Sequence, residues 1–138
     1  MKVIRSSRVI FVDVDETLIL WDWKQFDPEG KDLIRIADPV GNFSQMLLPH
    51  QRHITLLKQF KTRGHTIVVW SQGGNHWAES VVKALDLEDH VDLVMDKPSW
   101  YIDDLPASAF MGNNIYLHPS DPTKDQKSWV VEDNNVKD

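Results

Sequence analysis

The chain contains no cysteine. Its fold therefore cannot lean on disulfides, and thiolate nucleophiles and zinc–thiolate sites are excluded. Long apolar runs are missing as well. None approaches the roughly 20 residues that span a bilayer, and the longest, at residues 9–14, is interrupted by Asp13. Residues 1–8 are basic and polar, with no apolar segment or small-residue cleavage site behind them. No secretion signal is read there, no membrane partner is expected, and the expected location is cytoplasmic. Positive charge is in short supply: 15 Lys and Arg face 21 Asp and Glu, for a formal net charge of −6. That balance argues against broad, nonspecific attraction to nucleic acid or acidic membranes, while leaving room for a local basic groove. The six histidines are scattered without metal-ligand spacing, which disfavours a histidine–zinc site.

What remains is the composition of one ordinary globular domain: 138 residues, 41% hydrophobic and 26% charged. Residues 9–14 form a short apolar run rich in β-branched side chains, suited to a strand buried on both faces. Residues 21–49 are polar and carry Pro28, Gly30, Pro39 and Gly41. Within them, 33–37 and 43–48 flank Asp38-Pro39-Val40-Gly41-Asn42, which predicts a β-hairpin, a flap too small to be a cap domain. From about His50 the pattern turns helical, with Ile54, Leu57 and Phe60 near the helical period and Gly64 as a stop. Residues 67–70 predict a second strand. Asn75 is placed to cap a helix carrying Trp77, Val81, Val82 and Leu85. Three further strands are expected at 91–95, 100–102 and 115–117. Strands alternating with helical patterns predict an α/β fold, a parallel sheet of about five strands with helices on both faces. Residues 1–120 would make this core, and the polar stretch 121–138 a loosely packed tail.

Four of the predicted strand ends carry groups capable of chemistry. After the first strand comes Asp13-Val14-Asp15-Glu16-Thr17-Leu18. Residues two apart on an extended backbone point the same way, so Asp13 and Asp15 can face one site at the edge where open α/β sheets bind ligands. Capping of a turn or helix is the plainer explanation for such acids. The second strand ends in Trp70-Ser71-Gln72-Gly73-Gly74-Asn75. Its hydroxyl, its glycine amides and the helix N-terminus beyond suit an anion, although an ordinary strand-to-helix turn uses the same residues. Lys97-Pro98 follows the third strand; a lysine there can neutralise phosphate oxygens, or can simply be solvated. Tyr101-Ile102-Asp103-Asp104 ends the fourth in two adjacent acids, which a divalent cation would offset and a turn would also explain. In combination, an acid pair, a hydroxyl, a lysine and a second acid pair fall in order along one sheet edge.

In that order these residues resemble the haloacid dehalogenase superfamily of phosphatases. Asp13-Val14-Asp15-Glu16-Thr17 is similar to its Asp-x-Asp-x-Thr first motif, Ser71 to its second, Lys97 to its third and Asp103-Asp104 to its fourth. The resemblance spans roughly residues 9–117 and implies a three-layer Rossmann-like core. It further implies a Mg2+-dependent phosphomonoester hydrolase working through an aspartyl-phosphate. Asp13 would attack phosphorus, and Asp15 would protonate the leaving oxygen and then activate water. Asp13, the Asp15 carbonyl and Asp104 would hold magnesium, with Asp103 ordering the site or exchanging roles with Asp104. Ser71, Gln72 and Lys97 would bind the phosphoryl group.

The intervals after Asp15 and after Ser71 leave no room for the caps of larger members, so the resemblance is to capless phosphatases. Such members often act on bulky substrates. Asp-Glu-Thr resembles phosphatases of the polymerase-tail type, and Asp103-Asp104 resembles polynucleotide 3′-phosphatases, so the expected partner is a phosphoprotein or a nucleic-acid end. Trp21, Trp23 and Lys24 could stack on or steer a substrate, or could pack the flap onto the core. Arg35, Arg52 and His76 could also reach the mouth. Two other classes stay open: a noncatalytic phospho-acceptor module, and a small-molecule phosphatase or phosphotransferase. The acid at position 15 speaks against the first, and poor exclusion of water from an open site against transfer.

Overall fold

The computed structural model describes residues 8–120; the predicted tail, 121–138, lies outside the described residues. In chain order the elements are β1 (Val9–Asp13), β2 (Ile19–Leu20), β3 (Ile34–Asp38), β4 (Phe43–Pro49), α1 (Gln51–Thr62), β5 (Thr66–Ser71), α2 (Asn75–Ala84) and β6 (Leu93–Asp96). Short 3-10 turns occur at Glu88–His90 and Ala107–Ala109. No helix among the described residues is long and apolar enough to cross a membrane.

β1, β5 and β6 form a parallel sheet in the order β1-β5-β6. Its register sets Val9 opposite Thr66, Asp13 opposite Trp70, and Ser71 opposite Asp96. The α/β class and the parallel sheet agree with expectation, but the strand number does not. Among the described residues the sheet has three strands, because residues 100–102 and 115–117 make no ladder. Nor, among the described residues, are there helices on both faces. The two crossovers run the same way across the sheet, and right-handed connections of that kind put both helices on one side. There α1 contributes Ile54, Leu57 and Phe60, and α2 contributes Trp77, Ala78, Val81 and Val82, to one cluster with Ile67 and Val69. Ile10, Val12 and Val94 pack against the same cluster. The opposite pleat leaves Val9, Phe11 and Leu93 exposed, with Phe11 edge-on to Trp70 at 4.2 Å.

Helix ends follow local chemistry. α1 stops in a Schellman arrangement: the Gly64 N–H bonds the Lys61 carbonyl, and the His65 N–H reaches back to Phe60. Gly64 adopts φ +94°, which a side chain would oppose. α2 ends the same way on Asp86, at φ +56°. Asn75 is the first helical residue rather than the cap. The position before it is Gly74 (φ +101°), and the acceptor for the Asn75 N–H is the Asp96 carboxylate on the neighbouring strand.

The flap is a second, antiparallel sheet in the order β2-β4-β3, with Ile34 opposite Leu47 and Asp38 opposite Phe43. Asp38 Oδ1 accepts the N–H groups of Val40 and Gly41, which closes the hairpin tip as the turn residues predict. Asp27 is buried and accepts from Lys31 and Asp32, anchoring the incoming loop. This sheet is no loose cover. Ile19, Ile36 and Leu47 are fully buried within the main cluster. Truncating one of them to alanine would cost about 2–5 kcal/mol at such a site.

Candidate active site

The carboxyl ends of β1, β5 and β6 meet at one edge, and the turn after β1 is built tightly there. The Val14 carbonyl accepts from Thr17, Leu18 and Ile19, and the Glu16 N–H returns to Ile19. Glu16 takes a left-handed backbone (φ +62°), and its carboxylate accepts the Trp21 N–H at 2.8 Å. Val14 between them is fully buried, Asp13 closes β1 opposite Trp70, and Asp15 follows in the turn.

Asp13 is half-buried and faces Lys97, whose Nζ lies 4.0 Å from Asp13 Oδ1 and 5.9 Å from the centroid of the Trp70 ring. The Lys97 backbone N–H donates to the Ser71 carbonyl at 2.9 Å, fixing where the lysine leaves β6. Ser71 is fully buried. Its Oγ accepts the Gly73 N–H at 2.9 Å and donates to Asp15 Oδ2 at 3.5 Å. A Cβ at position 73 would sit 3.2 Å from Trp77 Cδ1 and 3.3 Å from Ser71 Oγ, close enough that one of them would have to give slightly. Asp13, Lys97, Ser71 and Asp15 thus form one chain of contacts drawn from three strands. Gln72 lies exposed in the turn.

Asp15 carries an unexpected shell. Trp21 Nε1 and Trp77 Nε1 both donate to Asp15 Oδ1, at 2.8 and 3.0 Å. The two indoles lie 5.9 Å apart between centroids, and Phe43 completes the group at 5.9 Å from Trp21 and 5.6 Å from Trp77. A cleft of about 340 Å³ opens here, lined by Asp15, Trp21, Asp38, Phe43, Gly73 and Trp77. Trp77 was expected as helix core and Phe43 as hairpin; the only sequence signal for more is that a buried indole N–H needs an acceptor. Asp96 was likewise missed, although it is an acid at the end of an apolar run.

Other expected contributors stand elsewhere. Trp23 packs on Gly30 within the flap, and Arg35 donates to Ser44 across the hairpin at 3.0 Å. Arg52 reaches the His118 carbonyl at 3.1 Å, and Lys24 and His76 are exposed. Asp103 and Asp104 are exposed, and line a different surface cleft with Ser99, Trp100, Tyr101, Leu105 and Pro106. Asp103 Oδ1 is engaged by the Leu105 N–H at 3.0 Å. Among the described residues no group of three or more His, Asp or Glu side chains could hold a metal ion. The donors as placed therefore do not complete the magnesium site that the motif order implies: Asp13 and Asp15 leave β1 together, and the second acid pair does not join them.

Beneath the site lies a buried histidine pair. His50 and His53 stack at 3.7 Å and 11°. His50 Nδ1 accepts the His53 N–H, so its Nε2–H donates to the Leu117 carbonyl at 2.8 Å. His53 Nε2 accepts the Leu117 N–H at 2.8 Å, so its Nδ1–H donates to the Thr17 carbonyl at 2.8 Å. Every ring nitrogen is satisfied in the neutral form. Burial, reinforced by the neighbouring ring, pushes His53 down to about 4, and burial lowers His50 as well. The pair ties Thr17 of the acid-bearing turn to α1 and to residue 117.

Compared with known proteins, the chain matches no protein-family model, no curated protein and no solved structure. The fold and the site accordingly define a class only, an α/β protein with a carboxylate-rich cleft at the carboxyl edge of a parallel sheet.

Proposed function

We propose that this chain is a phosphomonoester hydrolase of the haloacid dehalogenase type, acting through an aspartyl-phosphate on Asp13. One observation supports the reading: Asp13 and Lys97, at the ends of the two edge strands, converge at 4.0 Å, and the Lys97 N–H bonds the carbonyl of Ser71, whose Oγ contacts Asp15. A nucleophilic carboxylate, a cation for the phosphoryl oxygens and a second carboxylate for proton transfer are the minimum such chemistry needs.

In the first step an Asp13 oxygen bonds to phosphorus while the bond to the leaving oxygen breaks, and that oxygen takes a proton from Asp15. In the second, Asp15 accepts a proton from water as the water oxygen attacks phosphorus, which frees phosphate and restores Asp13. Two indole donors occupy Asp15 Oδ1, so Oδ2 is the oxygen that exchanges the proton. Lys97 offsets charge on the phosphoryl oxygens throughout. Magnesium dependence, as the resemblance implies, is part of the proposal, and Asp13 with the Asp15 carbonyl would be the donors on this edge that help hold the ion.

The test is phosphate release from an aryl phosphate, with and without Mg2+, for wild type and Asp13→Asn. Loss of at least about 10³-fold in the variant is expected for a missing nucleophile, together with a hydroxylamine-sensitive phosphorylated species in wild type alone. Equal turnover by the variant would sink the mechanism. A long-lived phosphoprotein with no phosphate release would favour the phospho-acceptor role.

A further inference from the structure

Asp15 Oδ1 is held by two indoles, and Asp15 itself lines an aromatic cleft. Trp21 and Phe43 are 40% and 41% exposed, and with the buried Trp77 they surround the carboxylate that would serve the leaving oxygen. Because Asp15 lines this cleft, a group that takes its proton would have the cleft beside it. The lining adds two carboxylates, Asp15 and Asp38, and no cation. A leaving group bearing further phosphates would meet only repulsion there. A flat, uncharged ring would meet the exposed parts of Trp21 and Phe43, surfaces that favour aromatic contact.

Resting on the phosphohydrolase reading, we propose that the substrate is an aryl phosphomonoester whose ring occupies the Trp21–Phe43–Trp77 cleft. The phenolic oxygen lies against Asp15 Oδ2. When the P–O(aryl) bond breaks, its electron pair stays on that oxygen, which takes the Asp15 proton and leaves as a neutral phenol, while Asp13 keeps the phosphoryl group. Oδ1, held by both indoles, stays fixed while the ring is recognised by the same two side chains. Tyrosine phosphate in a protein and a free aryl phosphate share this chemistry. The polynucleotide end expected from the motif wording does not suit a cleft lined by acids.

Binding and turnover test the idea separately. Phenylphosphonate and methylphosphonate, neither of which can be hydrolysed at phosphorus–carbon by this route, are titrated against wild type and Phe43→Ala, with tryptophan fluorescence as readout. Phe43 is partly exposed and makes no side-chain hydrogen bond, so the variant should fold, which circular dichroism checks. Wild type should bind the phenyl compound about tenfold more tightly than the methyl compound, and the variant less than about threefold more tightly. Equal affinities in wild type, or an undiminished preference in Phe43→Ala, overturn the proposal whether or not the protein turns over any ester. The phosphohydrolase reading fails on a different result, absence of phosphate release with the phenyl preference intact. Turnover then separates the sources. A phosphotyrosyl peptide preferred over its phosphoseryl counterpart points to protein substrates, and phenyl phosphate preferred over both points to a free aryl ester. A phosphoseryl peptide or 3′-phosphorylated oligonucleotide preferred over both aryl substrates overturns the assignment.

Discussion

Two stretches of this chain share a pattern, an apolar run followed by two acids, and they have different fates. At β1 the run pairs along its whole length with β5, and the acids emerge from a turn whose Val14 is fully buried. At residues 100–104 the run finds no partner. Trp100 and Ile102 are 90% and 105% exposed, and the acids lie on an irregular surface segment. Local pattern is the same in both; what differs is the long-range anchor. β1 has a central strand beside it and a helix-covered face beneath, while residues 100–102 have neither.

Hydrogen exchange should expose the contrast most sharply. Amides of β5, flanked on both sides and covered by both helices, should exchange at least about 10³-fold more slowly than those of residues 100–105. Comparable protection in the two would mean that the second run has found a ladder after all, and the comparison would collapse.

The histidine pair allows a test of the anchor itself. His53→Ala leaves the Thr17 carbonyl and the Leu117 N–H without partners in a buried site, so urea unfolding should show a loss of about 3 kcal/mol. Acid should act on the same pair in wild type. The folded His53 titrates at about 4, below the unfolded value near 6.5. The unfolded chain therefore binds more protons, and stability falls as pH drops from about 6.5 to about 4, by up to about 3 kcal/mol, then levels. A melting midpoint that stays flat between pH 7 and 4.5 would contradict the neutral, doubly bonded rings.

The smallest effect belongs to the second acid pair. Asp104→Asn should change stability by less than about 0.5 kcal/mol, as an exposed substitution does, and should leave any magnesium requirement for phosphate release where it was. A tenfold rise in the magnesium needed would instead restore the motif order as the correct guide to the metal site.

Much of this was legible in the sequence because it is set locally. The hairpin tip at Asp38–Asn42, the Gly64 stop and the first three strands of the parallel sheet all declare themselves through turn chemistry and periodicity. Asp13, Asp15, Ser71 and Lys97 could be picked out because strand ends of a parallel sheet share an edge. The rest depends on partners distant in sequence. His50 and His53 have no metal-ligand spacing, and their partners are the backbone groups of Thr17 and Leu117, distant in sequence. Trp77 was assigned to packing, and its indole N–H on Asp15 required the first and second strands to be in register. The strands expected at 100–102 and 115–117 failed because apolar content alone supplies no neighbour.

The rings of His50 and His53 also impose an order of events on biosynthesis. Their partner at residue 117 lies 67 and 64 positions downstream. Until the ribosome has released that residue, the rings must remain hydrated or the N-terminus of α1 must wait unburied. The acid-bearing turn cannot gain this anchor, which reaches it through Thr17, until residue 117 has left the ribosome.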